Sequence, residues 1–162
     1  MNHLITAADI KESTVAGLSI DEHKLETFVP LAQLKRLQPV LGFGLYAELL
    51  LAAQVQPLEG AMLALAQQCT DMLSWWTLVE AWPSLLVHVT NAGVVVKTGG
   101  GNGTTTADAR VTDAALASHT ATAETYTTQL RRWLYEHRGD YPSYPQPAPA
   151  VASSMPLGGV QF

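Results

Sequence analysis

One apolar pattern in the middle of the chain constrains the fold more than any other feature. Apolar side chains follow one another there at alternating steps of four and three residues: Leu58, Met62, Leu65, Cys69, Met72, Trp76 and Val79. Such steps return to one side of an α-helix, and their alternation is typical of a helix packed lengthwise against another helix. We therefore predict a long helix with Pro57 in its first turn and an end near Pro83.

A second long helix is predicted from about Asp108 to Arg138. Its first half is rich in alanine, and its second half carries larger apolar residues: Tyr126, Leu130, Trp133 and Leu134. Small side chains facing the first helix would let the two backbones approach closely. Threonines lower the helix propensity of this segment, so tertiary packing must stabilise it.

Shorter helices are predicted before residue 57. Thr6 caps a helix that runs to Glu12, and Ser19 with Glu22 has the spacing of a capping box that opens the next helix. Pro30 falls inside the apolar pattern of that helix and should kink it. A break is expected at Gly42 and Gly44, followed by a helix over residues 45–53.

The segment HVTNAGVVVKTGGGNGTTT, residues 88–106, interrupts the helical pattern. Valines on both sides of Asn91 and Gly93 favour a short β-hairpin or irregular β arm over residues 87–106, with a glycine tip at 99–103. A phosphate-binding loop is an alternative for the glycines. However, Lys97 precedes them and no Gly-x-Gly-x-x-Gly spacing is present, so the arm is favoured.

The composition changes after residue 138. Residues 139–162 are rich in proline and contain no lysine or arginine, so this segment should form an extended tail without a core of its own. The predicted organisation is a helical domain over residues 1–138 and a tail over 139–162. The fold class is all-α, a bundle of about four to five helices with the β arm and the C-terminal tail.

Composition excludes several classes of protein. A net charge of −5 argues against a dedicated nucleic-acid binder. The single cysteine, Cys69, cannot form an intramolecular disulfide and suits a reducing compartment. The N-terminus lacks the features of a signal peptide, and the most apolar stretch, residues 73–96, is interrupted by Glu80 and Pro83. No membrane association is expected, and the cytoplasm is the expected site of synthesis.

No group of residues suggests catalysis, a metal site or a cofactor. The five histidines are scattered, and His119 and His137 are expected at the edges of a helix seam. Cys69 should be a buried, inert thiol. Glu80, between two tryptophans, is interpreted as an edge residue or a carboxylate bonded to a neighbouring subunit. The basic cluster RRWLYEHR is typical of a helix C-terminus, although contact with DNA or an acidic partner remains an alternative.

Four stretches in this order carry a resemblance to a known family: LITAADIKEST, FVPLAQLKRLQPVLGFGLYAELL, WWTLVEAWPSLLVHVTNAGVVVKTG and AETYTTQLRRWLYEHRGDYPSY. They resemble the small helical head–tail connector proteins (adaptor or head-completion proteins) of tailed phages and prophages, in an uncharacterised-domain branch. The matching positions belong to a Leu-Gly-x-x-Leu-Tyr motif, a central helix, a β turn and a Tyr-Pro-x-Tyr ending: Leu41, Gly42, Leu45, Tyr46, Trp75, Trp76, Pro83, Asn91, Gly93, Tyr141, Pro142 and Tyr144.

The resemblance implies a structural virion protein at the head–tail junction. Such connectors assemble as homo-oligomeric rings, commonly of twelve copies, beneath the portal protein, where they line the DNA channel and meet a stopper or tail-completion protein. The residues expected to contact subunits or partners lie in the arm and the tail: Val89, Asn91, Gly93, Val95, Lys97, Tyr141, Pro142, Tyr144 and Phe162. The alternatives are a neck or tail-completion component of a prophage-derived particle and a small helical enzyme or regulator using a cleft near Glu80.

Overall fold

The computed structural model describes residues 3–16, 20–55, 57–90, 93–96 and 109–145. In chain order, the elements are α1 (Ala7–Ser13), α2 (Glu22–Glu26), α3 (Val29–Ala32), a π-helical turn (Gln33–Leu37), α4 (Gln38–Val55), α5 (Gly60–Leu86), β1 (Val87–Thr90), β2 (Gly93–Val96), α6 (Ala109–Glu136) and a 3₁₀ turn (Arg138–Asp140). The predicted all-α class is confirmed.

Helices α5 and α6 form the frame of the molecule and make its most extensive contact between elements. The central residues of the predicted seam, Leu65, Cys69, Met72 and Trp76, are buried, which confirms the pattern. The predicted bounds of α5 were wrong by three residues at each end. Its first residue is Gly60, and the helix continues through the exposed Pro83 to Leu86.

Contacts between α5 and α6 step in opposite directions along the chain, so the two helices are antiparallel. The indole Nε1 of Trp76 donates a hydrogen bond of 2.9 Å to Thr127 Oγ1, and further along α5 the ring of Trp82 meets that of His119. Five threonine hydroxyls of α6 donate to backbone carbonyls four residues earlier: Thr120, Thr122, Thr125, Thr127 and Thr128. These hydroxyls are therefore satisfied within their own helix.

The N-terminal helices pack against α5. Thr6 caps α1 in a capping box with Asp9, as predicted. The predicted start of the second helix was wrong, because the carboxylate of Asp21 accepts from the backbone N–H of His23 and caps α2; Ser19 lies outside the described residues. The chain does not simply kink at Pro30. It leaves the helix after Glu26 and restarts it at Val29, which places the proline in a first turn, where its missing N–H costs nothing.

Two irregularities shape the helical run that follows α3. Pro39 has no N–H to bond to the carbonyl four residues earlier, and the helix widens into the π turn just before it. Gly42 then adopts φ 74° and ψ 162°, which breaks α4. The predicted break is confirmed at Gly42, and the helical segment that follows extends to Val55.

Strand β1 follows α5 directly and pairs antiparallel with β2, with Val87 opposite Val96 and Thr90 opposite Gly93. Asn91, Lys97 and the predicted glycine tip lie outside the described residues. Within the described ranges, no single helix has the length and apolarity needed to cross a membrane. The segments Glu22–Val55 and Gly60–Leu85, which are bent relative to each other, have that length and apolarity only when they are counted together.

The chain after α6 differs from the extended tail that we predicted. Residues 139–145 turn back onto the helices instead of leaving them, since Tyr141 is buried and Tyr144 is half-buried. The remainder of the predicted tail, residues 146–162 with Phe162, lies outside the described residues.

Candidate contact surfaces

The chain around the Leu-Gly-x-x-Leu-Tyr motif lies against the turn that contains the Tyr-Pro-x-Tyr motif. A Cβ built on Gly42 would lie against Pro145, 2.7 Å from its Cδ, and one built on Gly44 would lie 3.4 Å from Ser143 Cβ. The Ser143 hydroxyl donates to the carboxylate of Glu48, one turn further along α4. Gly42 of the first motif and Gly44, which occupies a variable position in it, thus leave room for the turn that contains the second motif.

Tyr141 fixes this C-terminal turn to the helices. Its side chain is 2 % exposed, and its hydroxyl donates a hydrogen bond of 2.8 Å to the carbonyl of Ala61 at the start of α5. Its ring lies 5.6 Å from that of Trp133. Burial, followed by the negative charge of Asp140, raises the pKa of the phenol. The side chain of Tyr141 is therefore engaged within its own chain.

The other predicted contact residues are distributed differently. Pro142 is exposed, and Tyr144 is half-buried against the core. Val89, Gly93 and Val95 lie in the paired strands β1 and β2, which are different elements from the C-terminal turn. Asn91, Lys97 and Phe162 are outside the described residues. Those of the nine residues that the structure describes therefore lie in two separate parts of the chain, the paired strands and the C-terminal turn.

Glu80 has partners within its own chain, and a further bond of its carboxylate to a neighbouring subunit stays a prediction. Its side chain is 12 % exposed, and its carboxylate lies 3.0 Å from Lys35 Nζ and 3.3 Å from Arg36 Nη2. The guanidinium of Arg36 also lies 3.9 Å from the ring centroid of Trp76. Since the two basic residues stand in the π turn, this cluster ties that turn to α5.

A shallow groove of about 300 Å³ lies beside this cluster, between the π turn and α6. Its walls carry three basic side chains, from Lys35, Arg36 and Arg131, and the carboxylate of Glu124. Glu80 lies behind Lys35 and Arg36 and pairs with both. The three positive charges are therefore nearly balanced by the two carboxylates. The groove therefore combines cationic and anionic side chains in almost equal number.

Other reactive side chains are engaged in packing. Cys69 is 1 % exposed, and burial raises the pKa of its thiol, as expected for an inert cysteine. His119 lies at the edge of the α5–α6 seam, with its ring centroid 5.7 Å from that of Trp75 and 4.7 Å from that of Trp82, and desolvation lowers its pKa. Among the described residues, no three His, Cys, Asp or Glu side chains converge as a metal site would require.

One surface feature was missed in our sequence predictions. Helix α4 beyond its break carries three large apolar side chains that are well exposed: Phe43 is 78 %, Leu51 62 % and Val55 82 % exposed. They follow steps of eight and four residues, so they share one side of the helix. We call these three residues the α4 stripe. The four-residue spacing of Phe43, Ala47, Leu51 and Val55 was the available signal.

Comparison with known proteins gives one match. No curated protein and no solved structure matches the chain. A family described as a family of unknown function (DUF6712) matches residues 37–153, which include both the glycine break in α4 and the C-terminal turn that covers it. The chain belongs to the DUF6712 family.

Proposed function

We propose that this protein is a structural virion subunit, a head–tail connector that forms a ring beneath the portal protein and lines the DNA channel. In this role it contacts a copy of itself on each side, the portal above and a stopper or tail-completion protein below. A closed ring requires two different, complementary surfaces on every subunit. It requires no catalytic group and no cofactor.

The observation that carries the proposal is the packing of the C-terminal turn, which contains the second recurring motif, on the glycine break that belongs to the first motif. Gly42 and Gly44 are small where residues 143–145 cross them, and Tyr141 donates its hydroxyl to the body of the molecule. Gly42 and Tyr141, one residue from each motif, therefore have an architectural explanation. Motifs that preserve a packed turn, rather than a reaction centre, are what a family of assembly subunits would share.

The arm supplies the proposed contact with a neighbour. Strands β1 and β2 pair with each other, and among the described residues no third strand joins them. Each strand of such a pair has an outer row of backbone N–H and C=O groups that an extended segment of another subunit can bind. Main-chain pairing of this kind depends little on side chains, so it suits a segment rich in valine and glycine.

The geometry of Glu80 disfavours the enzyme alternative. A general acid or base must be free to exchange a proton with a substrate. The carboxylate of Glu80 is instead held by two cationic side chains, Lys35 and Arg36, in a cluster that links two elements of the body. This arrangement is typical of a structural ion pair.

Two substitutions at one position in the arm test the proposal. Val89→Pro removes a backbone N–H from β1, whereas Val89→Ala keeps it. Each full-length variant would be mixed with the portal protein encoded in the same genome and viewed by electron microscopy. We expect wild type and Val89→Ala to add a ring to the portal and Val89→Pro to lose it, with unchanged helical circular dichroism. Absence of a ring with wild-type protein would contradict the proposed role of the chain. A ring that still forms with Val89→Pro would contradict the proposed role of the arm.

A further inference from the structure

The α4 stripe is an apolar helix face that nothing in the described part of the chain covers. Phe43, Leu51 and Val55 extend over twelve residues, about 18 Å of helix at a rise of 1.5 Å per residue, and all three remain more than half exposed. The only charged residue between positions 43 and 55 is Glu48, which accepts a hydrogen bond from Ser143. The exposed Gln54 also lies on this side of the helix, so the face is predominantly and not continuously apolar. A predominantly apolar exposed face indicates a surface that is covered by another segment.

The position at which the described chain ends identifies the nearest candidate for that segment. Pro145, the last described residue, lies directly over Gly42, the neighbour of Phe43 at one end of the stripe. The buried ring of Tyr141 and the contact of Ser143 with Glu48 fix the approach of the chain to this point. At this point the chain runs along α4 from Glu48 toward Gly42, so residues 146–162 start at the Phe43 end of the stripe and have to reverse direction to follow it toward Val55.

The chemistry of residues 146–162 matches that of the stripe. The segment contains no charged side chain and carries five apolar residues larger than alanine: Val151, Met155, Leu157, Val160 and Phe162. It is also long enough, because seventeen residues at about 3.1 Å each reach roughly 50 Å, more than twice the length of the stripe. Attachment to the same molecule gives the segment a local concentration in the millimolar range, which favours it over a second copy in dilute solution.

We propose that residues 146–162 bind in cis across the α4 stripe and cover Phe43, Leu51 and Val55 in the free chain. The binding is hydrophobic, with the apolar side chains of the segment against one side of α4. This inference concerns the isolated protein and does not depend on the ring proposal. The segment serves as an intramolecular cover for a surface that would otherwise promote nonspecific association.

Cysteine cross-linking of the full-length chain tests the proposal. The native Cys69 can stay in place, because it is buried and will not react. Val160→Cys would be combined with Leu51→Cys in one protein and with Gly139→Cys in a control, since Gly139 is exposed, has open space around it and lies in the C-terminal turn, close to where the segment is attached. A third protein with Val55→Cys in place of Leu51→Cys gives an independent position in case one variant folds poorly.

Mild oxidation should form an intrachain disulfide in the Leu51→Cys and Val55→Cys proteins at least about tenfold faster than in the control, at a rate independent of protein concentration. Equal rates in the stripe and control proteins would overturn the proposal. Disulfide-linked dimers without the intrachain product would overturn it as well, and would show that the segment of a second copy occupies the stripe. Failure of ring formation on the portal, by contrast, would leave the cross-linking result unchanged.

Discussion

Replacing Gly42 by alanine should destabilise the protein through two separable effects. The first is conformational, because φ 74° with ψ 162° lies in a region that is open essentially to glycine alone, and a residue held there with a Cβ costs about 1–3 kcal/mol. The second is steric, because the new methyl group would lie 2.7 Å from Pro145 Cδ and force the C-terminal turn to move. We expect a total loss of about 3–4 kcal/mol in the free energy of unfolding.

Other glycines and Pro145 separate the two effects. Gly60 has φ 56° and no atom within 4 Å of a built Cβ, so Gly60→Ala should cost only the backbone part, about 1–2 kcal/mol. Gly139 has neither a positive φ nor a close neighbour, and Gly139→Ala should change stability by less than about 1 kcal/mol. Pro145→Ala removes Cγ and Cδ and leaves only Cβ, 3.9 Å from the new methyl, so Gly42→Ala should cost less in that background.

Urea unfolding followed by circular dichroism gives these differences as shifts of the transition midpoint at constant slope. The expected order of destabilisation is Gly42→Ala, Gly60→Ala, Gly139→Ala, with part of the first restored by Pro145→Ala. Equal costs for Gly42→Ala and Gly60→Ala, with no rescue, would refute the claim that the C-terminal turn packs on the glycine break.

Three further predictions concern side chains at the helix contacts. The lowered pKa of His119 means that the native state favours the neutral ring. The contribution of the neutral ring to the free energy of unfolding is therefore complete above pH 6.5 and is lost as the pH falls toward the lowered native pKa. Urea titrations at several pH values should show this loss in wild type and its absence in His119→Gln. Tyr141→Phe removes a buried hydrogen bond and should cost about 1 kcal/mol in urea unfolding. Tyr144→Phe should cost nearly nothing, because among the described residues the Tyr144 hydroxyl has no hydrogen-bond partner. Thr127→Val leaves the buried indole N–H of Trp76 without its acceptor and should lower the free energy of unfolding by about 1–2 kcal/mol. Thr128→Val, at an exposed position, should change it by less than about 0.5 kcal/mol. Equal effects of the two tyrosine variants, or of the two threonine variants, would contradict the assigned contacts.

Local patterns predicted much of the helical framework. The seam of α5 was evident because one side of a long helix must be apolar when it is buried, and its central residues are indeed inaccessible to solvent. The cap at Thr6 and the break at Gly42 depend on adjacent residues alone, so short-range chemistry was sufficient to identify them.

The contacts between distant segments were not predictable in the same way. The partners of Glu80 stand 44 and 45 residues earlier in the chain, and nothing near Glu80 in sequence indicates them. Tyr141 was predicted to lie in an extended tail, because the segment from residue 139 is rich in proline. Such a composition indicates the average conformation of a segment, but it does not show that one aromatic side chain in it is buried. Its partner, the carbonyl of Ala61, lies 80 residues away.

The candidate surfaces show the same limit. Both motifs of the resemblance were visible in the sequence, yet their contact depends on the path of α4 after Gly42 and on the turn after α6. The α4 stripe was overlooked because exposed and buried apolar residues alternate within residues 43–55: Leu45 and Leu49 face the core, whereas Leu51 and Val55 face away from it. Composition alone cannot distinguish the two sides of so apolar a helix.

The most direct test of the proposed function is an asymmetric reconstruction of the neck of the particle whose genome encodes this chain. The connector proposal predicts a ring of density between the portal and the tail into which α5, α6 and the C-terminal turn fit, one copy per subunit. Absence of the chain from the purified particles, or a neck whose rings are all accounted for by other proteins, would contradict the proposal.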